Sequence, residues 1–200
     1  MKILYLTLTT LLLITHQVWG VEPRLKMLRH AQLPNRLHNG ELQQVQGEAF
    51  SGWFPWQNGY QIARQTGRNG SHAAYCRNMG NEQSGIGQTV DLNQSAPTPV
   101  VVSGWSRAHQ VNGGRDSGYA IYVDVIYSDG EPLWGQNAPF DTGTHDWQQG
   151  RVTIFPTKSI QRVSVYGLFR GHAGAVWFDD FAVYELGGAD VTTFDGLPVE

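Results

Sequence analysis

Short runs of β-branched and aromatic residues alternate with glycine, proline, asparagine and aspartate from Asn39 onward. Runs of this length, bounded by residues that favour turns, are typical of strands in an all-β protein. No stretch of comparable length repeats its apolar residues with a helical period. The pattern predicts nine strands, over residues 41–46, 60–64, 72–78, 86–92, 99–108, 119–127, 147–154, 160–170 and 175–186.

Alternation within the predicted strands indicates which side chains face the core. In strand 119–127, Ile121, Val123 and Val125 are apolar, so we expect Tyr122 and Asp124 on the opposite face. The same rule buries alternate apolar residues of strand 160–170 and turns Tyr166 and Arg170 outward.

Strand 99–108 follows the same rule less clearly. It turns Trp105 and Arg107 outward, although the three valines at its start leave the facing ambiguous. Three strands are thus each predicted to present an aromatic residue and a polar or charged residue away from the core. A purely structural sheet does not need such a surface.

Two adjacent carboxylates, Asp179 and Asp180, interrupt the last predicted strand. Strands disfavour aspartate, so we expect a cation, backbone amides or a metal ion to hold these groups. Adjacent residues of a regular strand point to opposite faces, so the two carboxylates should not act together as a hydrolytic pair.

Length and composition suit one strand-rich domain of 200 residues, with 24 glycines and 12% aromatic residues against 16% charged residues. Residues 1–20 have the layout of a secretory signal peptide, because Lys2 precedes an apolar run and Gly20 offers a small residue for cleavage. We expect an exported protein with no membrane span after cleavage, an N-terminal approach segment at 21–38, a β-sandwich at 39–186 and a linker or tail at 187–200.

Charge and cysteine content exclude other classes. Removal of Lys2 with the leader takes the formal net charge from −3 to −4, so we expect no nucleic acid partner. The single cysteine, Cys76, excludes an intrachain disulfide and is predicted to be a small buried residue.

Four motifs carry a resemblance to a known family. They are the segments 70–74, 85–92, 101–107 and 176–181, the last reading Val-Trp-Phe-Asp-Asp-Phe, and the Asn39-Gly40 and Gly52-Trp53 pairs precede them. In order and spacing the chain resembles carbohydrate-binding modules of the CenC type, families 4, 9 and 22, over residues 39 to 186. The resemblance implies a jelly-roll β-sandwich of the galactose-binding-like kind, with two antiparallel sheets and a polysaccharide or glycan as partner.

Modules of this family commonly hold a structural calcium ion between the first and last strands. The resemblance implies Asp180, or else Asp179, as a ligand of that ion. Gln43 stands where the family supplies a carboxylate from the opening strand, and a neutral ligand lowers affinity for calcium. The sequence leaves the calcium site open.

A sugar site needs a flat aromatic platform flanked by hydrogen-bonding groups. The candidate platforms are Trp105, Tyr122, Trp134 and Tyr166, and the candidate rim residues are Arg107, Asp124, Gln136 and Arg170. The alternative for each aromatic is a place in the core. Trp53 and Trp56 are predicted to cap the edge of the sandwich instead, or else to form an exposed patch.

No motif of an enzyme is present: the chain has no nucleophile elbow, no zinc-binding helix and no phosphate-binding glycine loop. The leading hypothesis is a secreted noncatalytic glycan-binding module, either by itself or as one part of a larger extracellular enzyme or surface protein. The alternative is an extracellular adhesion or protein-interaction domain, and a hydrolase of unfamiliar type is a third option. Convergence of Trp105, Tyr122, Trp134 and Tyr166 on one solvent-facing surface would favour the first.

Overall fold

The computed structural model describes residues 33–186 and the backbone of two short strands beyond them. The expected leader, most of the approach segment and most of the tail lie outside the described residues. The strands are β1 (Val45–Gln46), β2 (Ala49–Phe50), β3 (Phe54–Gln57), β4 (Gln61–Ala63), β5 (Ala73–Met79), β6 (Gln83–Asp91), β7 (Val100–Val111), β8 (Tyr119–Tyr127), β9 (Pro132–Pro139), β10 (Gly143–Ile154), β11 (Ile160–Arg170), β12 (Ala173–Glu185), β13 (Thr193–Phe194) and β14 (Leu197–Pro198).

Two antiparallel five-stranded sheets dominate the described part of the chain. Sheet I has the strand order β10-β7-β12-β5-β4, and sheet II has the order β3-β6-β11-β8-β9. Strands β1 and β2 form a separate hairpin, and β13 pairs with β14. The turn at Gly171 takes the chain from β11 in sheet II to β12 in sheet I. These two consecutive strands therefore do not pair with each other as a hairpin. The all-β sandwich is confirmed.

The apolar core fills the space between the two sheets. Ile121, Val123 and Val125 are fully buried, as the alternation along β8 predicts. Gly167 makes room for the largest rings, because a Cβ at that position would lie 2.8 Å from Cγ of Phe178. Cys76 is a buried free thiol, and desolvation raises its pKa above the ordinary value.

Hydrogen bonds join the segment that precedes β1 to the sandwich. The side-chain amide of Gln88 exchanges two hydrogen bonds with the backbone of His38, at 2.7 Å and 2.9 Å. The indole of Trp53 donates to the carbonyl of Asn39 at 3.0 Å, and Leu42 is fully buried. Of the strand predicted over residues 41–46, only β1 at Val45–Gln46 forms, and residues 41–44 are a turn and irregular backbone.

The long strands match the sequence-based expectation closely, and the irregular ones do not. Strands β8 and β11 have the predicted bounds, whereas β3 and β9 were not predicted. Both carry proline or glycine and lie at the edges of sheet II, where a missing donor is tolerated. Within the described residues, the structure contains no helix long and apolar enough to cross a membrane.

Candidate functional site

A row of aromatic rings crosses the outer face of sheet II. The strand register aligns Phe54, Gly87, Tyr166 and Tyr122 on neighbouring strands. The ring centroids of Phe54 and Tyr166 lie 6.0 Å apart, and those of Tyr166 and Tyr122 lie 6.2 Å apart, both with edge-to-face geometry. This row is called the aromatic row below.

Gly87 allows the rings of the aromatic row to lie down on the sheet. A Cβ at this position would come within 2.6 Å of Phe54 and 2.8 Å of Tyr166, which are distances that real side chains do not adopt. The glycine therefore leaves a hollow in the strand into which both rings pack. The result is a broad apolar surface rather than a set of upright side chains.

A bulge in β9 projects Trp134 from the same face. The register shifts between Val123 and Val125, and Gly135 within the bulge has a φ of +74°. A residue with a Cβ is strained at that angle, so the glycine permits the bulge. Trp134 is 60% exposed, which places a large flat ring in solvent beside the aromatic row.

Charged groups flank the rings. The guanidinium of Arg170 lies 5.5 Å from the ring centroid of Tyr122. Asp124 accepts a hydrogen bond from the amide of Gly135 at 3.1 Å. Desolvation raises the pKa of Asp124, and that amide and the charge of Arg170 oppose the rise. Thr89 and Ser164 share a hydrogen bond of 2.8 Å nearby on β6 and β11.

Five of the eight predicted ligand residues therefore come together on the outer face of sheet II. They are Tyr122, Asp124, Trp134, Tyr166 and Arg170.

Gln136 does not belong to this set. It pairs with Val123, whose side chain points into the core, and its amide donates to the carbonyl of Trp134 at 3.1 Å. Asn137, which pairs with Tyr122, occupies the outward position instead. The bulge at Gly135 changes the alternation, and regular alternation from Trp134 cannot anticipate such a shift.

Phe54 is the aromatic residue that the sequence reasoning missed. Its neighbours Trp53 and Trp56 were both predicted to cap the edge of the sandwich. Trp53 is buried against Phe181, with ring centroids 4.7 Å apart, while Phe54 is 39% exposed and joins the aromatic row. Adjacent strand residues point to opposite faces, so a buried Trp53 would have indicated an outward Phe54.

Trp105 and Arg107 lie on the outer face of the other sheet, on β7. The guanidinium of Arg68 covers the ring of Trp105 at 3.7 Å from its centroid. Arg107 lies between Trp177, at 4.6 Å, and Trp147, at 5.4 Å. Their outward facing is as predicted, but their grouping with Tyr122 and Tyr166 is wrong because β7 and β8 belong to different sheets.

The acidic pair of β12 also departs from the prediction. The register shifts between Asp179 and Ala182, and Asp180 has a φ of +50°. This bulge brings the carboxylates of both residues to the loop that contains Arg68, so the expectation of opposite faces is wrong.

Protein groups hold both carboxylates. Asp179 is fully buried and accepts hydrogen bonds from the amide of Arg68 at 2.8 Å, the hydroxyl of Ser71 at 2.5 Å and the amide of Asp180 at 2.7 Å. The guanidinium of Arg68 forms an ion pair with Asp180. Desolvation raises the pKa of Asp179 to about 6, and the neighbouring charge of Asp180 adds to the rise.

The arrangement of these groups does not fit a calcium ion. A groove of about 670 Å³ beside the pair is lined by Glu41 and Asp180 but also by Arg68 and Arg151, so positive charge balances the carboxylates. Gln43 lines the same groove, and its amide nitrogen donates to the carbonyl of Glu41 at 2.8 Å. Among the described residues, no group of three histidine, cysteine or acidic side chains could hold a metal.

Comparison with known proteins identifies relatives over most of the chain. No family model matches the sequence. The chain is 31% identical over 175 residues to the tRNA3(Ser)-specific nuclease WapA of Bacillus spizizenii, in an alignment that covers 78% of this chain. It spans about 8% of the length of that relative.

Solved structures share the fold. TmCBM61, solved in complex with β-1,4-galactotriose, matches with a TM-score of 0.55 and 16% identity over 76% of this chain and 99% of that one. The CBM22-1 xylan-binding domain of Paenibacillus barcinonensis Xyn10C matches with a TM-score of 0.54 and 11% identity over 75% of this chain and 94% of that one. The fold expected from the resemblance is confirmed: the chain has the β-sandwich fold of carbohydrate-binding modules.

Proposed function

We propose that the chain binds a glycan on the outer face of sheet II. One observation carries this function: Phe54, Tyr166 and Tyr122, with the exposed Trp134 of the next strand, share one outward face with the charged groups of Arg170 and Asp124. A structural sheet gains nothing from a large exposed ring such as Trp134. Exposed aromatic rings gathered on one face favour a glycan-binding module over a domain whose aromatic side chains only fill the core.

The chemistry of the face suits sugar rings. The C–H surface of a pyranose packs on a flat aromatic ring, while its hydroxyls need planar hydrogen-bonding partners at the rim. Arg170 offers several donors, and its side chain makes no hydrogen bond or ion pair with any described residue. Asp124 and Asn137 offer acceptors on the neighbouring strands.

A neutral glycan is the expected ligand. Arg170 and Asp124 carry opposite charges and act on each other electrostatically, so the centre of the face has little net charge. Two polymers are suitable first probes: xylan, which is named for the Xyn10C domain, and β-1,4-linked galactan, the polymer with the linkage of the β-1,4-galactotriose bound to TmCBM61.

We further propose that binding occurs without cleavage. Glycoside hydrolysis generally needs two carboxyl groups on either side of the scissile bond. Asp124 lies beside the aromatic row. Among the described residues, the charged group that shifts its pKa is Arg170 rather than a second carboxyl group. We also propose that the chain acts outside the cell, because residues 1–20 have the layout of a secretory leader.

Native affinity electrophoresis in gels that contain galactan or xylan tests the proposal. We expect at least one polymer to retard the chain and Trp134→Ala or Tyr166→Ala to weaken retention about tenfold, as expected for loss of a stacking ring. Phe155→Ala is the matched control, since Phe155 is 76% exposed and lies outside the β-strands.

Failure of every glycan in a broad panel to retard the parent chain would contradict the proposal and favour a protein partner for the aromatic row. Equal loss in Phe155→Ala and Trp134→Ala would show that retention reflects general stickiness of exposed rings.

A further inference from the structure

A second open groove lies on the outer face of sheet I, at the start of β12 and on the N-terminal side of the acidic pair. Its volume is about 390 Å³, and small residues around Gly174 form its floor. Tyr75 and Trp177 line one side, and Arg77 and His109 line the flanks. We call it the Trp177 groove. The glycan proposal does not use any of these residues.

Four flat groups follow one another across sheet I beside the Trp177 groove: Tyr75 and Trp177 line the groove, and Arg107 and Trp147 continue the row outside its lining. Tyr75 and Trp177 have ring centroids 5.0 Å apart, and Arg107 lies between Trp177 and Trp147. Stacking between two indoles holds a guanidinium flat and limits its rotation. Contacts with both rings therefore restrict Arg107 before any ligand binds, and they hold its guanidinium beside Trp177.

The charge of the groove has one sign. No carboxylate of the described residues lines it, although the chain as a whole carries a formal net charge of −3. Within residues 33–186, the side chains of Arg77 and Arg107 make no hydrogen bond or ion pair. Arg68, in the loop between β4 and β5, instead forms an ion pair with Asp180. Two guanidinium groups with open donors beside an aromatic wall favour an anionic ligand with a flat apolar surface.

We infer that the Trp177 groove binds a polysaccharide that carries carboxylate groups, such as one built from uronic acids. A planar carboxylate matches the fork of a guanidinium and accepts two hydrogen bonds from it. The sugar ring that bears the carboxylate supplies the C–H face for Trp177. A cavity of this size accommodates a short saccharide segment.

Nucleic acid fits these observations less well. Binding to a phosphate backbone depends on neutralising many phosphates along an extended basic track. The groove and its edge offer two arginines and one histidine in a chain of net negative charge. A few well-oriented donors beside stacked rings suit isolated carboxylates better than a dense polyanion.

Native gels with polygalacturonate test this inference on the full chain. We expect retention of the parent, and we expect Arg77→Gln and Arg107→Gln each to raise the dissociation constant about tenfold, as loss of one charge-assisted hydrogen bond predicts. Arg162→Gln is the matched control, because Arg162 is an exposed arginine of sheet II and its loss changes the net charge equally. Thermal unfolding of each variant reports whether it is folded.

Trp134→Ala separates this inference from the proposed function. It should leave retention by polygalacturonate unchanged while it weakens retention by neutral glycan. Absence of retention, equal loss in Arg162→Gln, or equal retention by dextran sulfate or by single-stranded RNA would each overturn the assignment of a carboxylated polysaccharide to this groove.

Discussion

Two places in the sandwich combine an arginine, an aromatic ring and an aspartate, and they use them differently. On sheet I, Arg68 covers Trp105 at 3.7 Å and pairs with Asp180. On sheet II, Arg170 lies 5.5 Å from Tyr122, and its side chain has no hydrogen-bond partner among the described residues. We call the first the closed set, made of Arg68, Trp105, Asp180 and the neighbouring Asp179, because contacts within the chain occupy its charged groups. The second leaves its donors available to a ligand.

The comparison shows that residue types alone do not identify a binding site. Trp105 and Tyr122 are equally good platforms in the sequence, and both face outward. The loop that contains Arg68 and Ser71 closes over the acidic pair at Trp105, whereas β9 bulges beside Tyr122 and leaves it open. Coverage by a neighbouring loop is what distinguishes the set at Trp105 from the one proposed to bind a glycan.

Arg68→Ala should produce the largest effect. It leaves Asp180 without its ion-pair partner beside the buried Asp179 and uncovers the ring of Trp105. We expect the free energy of unfolding to fall by about 2 kcal/mol, below the range for a fully buried pair because both side chains keep some exposure. Urea denaturation measures it. Arg170→Ala should change stability by less than about 0.5 kcal/mol, and equal losses would remove the distinction between the two sets.

Gly87→Ala should disturb the open face while it largely spares the fold. The added Cβ must displace the rings of Phe54 and Tyr166, which can tilt toward solvent. We expect glycan affinity to fall about tenfold, or about 1.4 kcal/mol, with a smaller change in the free energy of unfolding. Titration calorimetry with the glycan identified by electrophoresis measures the affinity. Unchanged affinity would show that the aromatic row does not contact the ligand.

The pH dependence of the free energy of unfolding should reveal the buried Asp179 of the closed set, with a smaller effect than the two substitutions above. The pKa of Asp179 is raised to about 6 in the folded chain from an ordinary value of 3.8, so the folded state binds the proton more tightly than the unfolded state. The contribution of this group to stability is therefore greatest at low pH and is lost as the pH rises through 6. Between pH 7 and pH 5 we expect a gain of about 1 kcal/mol.

Asp179→Asn is the control for that measurement, because an amide does not titrate in this range. Denaturation of the parent and the variant at both pH values isolates the contribution. A parent whose stability changes with pH no differently from that of Asp179→Asn would contradict the raised pKa.

Calcium should have no effect on the closed set. An ion that binds only the folded state raises the midpoint of thermal unfolding. Because Arg68 already balances the charge of Asp180, we expect the same midpoint in excess calcium and in chelator. A rise with calcium that Asp180→Asn abolishes would show that the ion displaces Arg68 and that the site expected from the family resemblance exists.

The sequence predicts the fold and the site only where apolar and polar residues alternate regularly along a strand. The bounds of β8 and β11, and the outward facing of Tyr122 and Tyr166, arise from strands without bulges in their centres. Asp180 and Gln136 were misplaced because each lies at or beside a bulge, where one extra residue reverses the facing of the residues after it. The assignment of Trp105 to the same site failed for another reason, since alternation gives the face of a strand but not its sheet.

His172 illustrates a further limit. Its position after a turn glycine suggests a solvated loop residue, yet its side chain is almost fully buried. Its ring nitrogens face the carbonyl of Asn112 at 2.7 Å and the carboxylate of Asp116 at 3.0 Å, both acceptors. The hydrogen bond from His172 holds the pKa of Asp116 below its ordinary value. Contacts between residues 56 or more positions apart leave no local signal in the sequence.

The backbone amide of Arg36 donates to the carbonyl of Val183 at 2.9 Å, and the amide of Phe181 donates to the carbonyl of Gly40 at 2.9 Å. The segment that enters the sandwich and the one that leaves it are thus fastened side by side. A pulling force applied through the two flanks would load this short junction directly and bypass both outer faces. Mechanical tension on the polypeptide would therefore be borne at one corner, while the surfaces proposed to hold polysaccharide keep their shape.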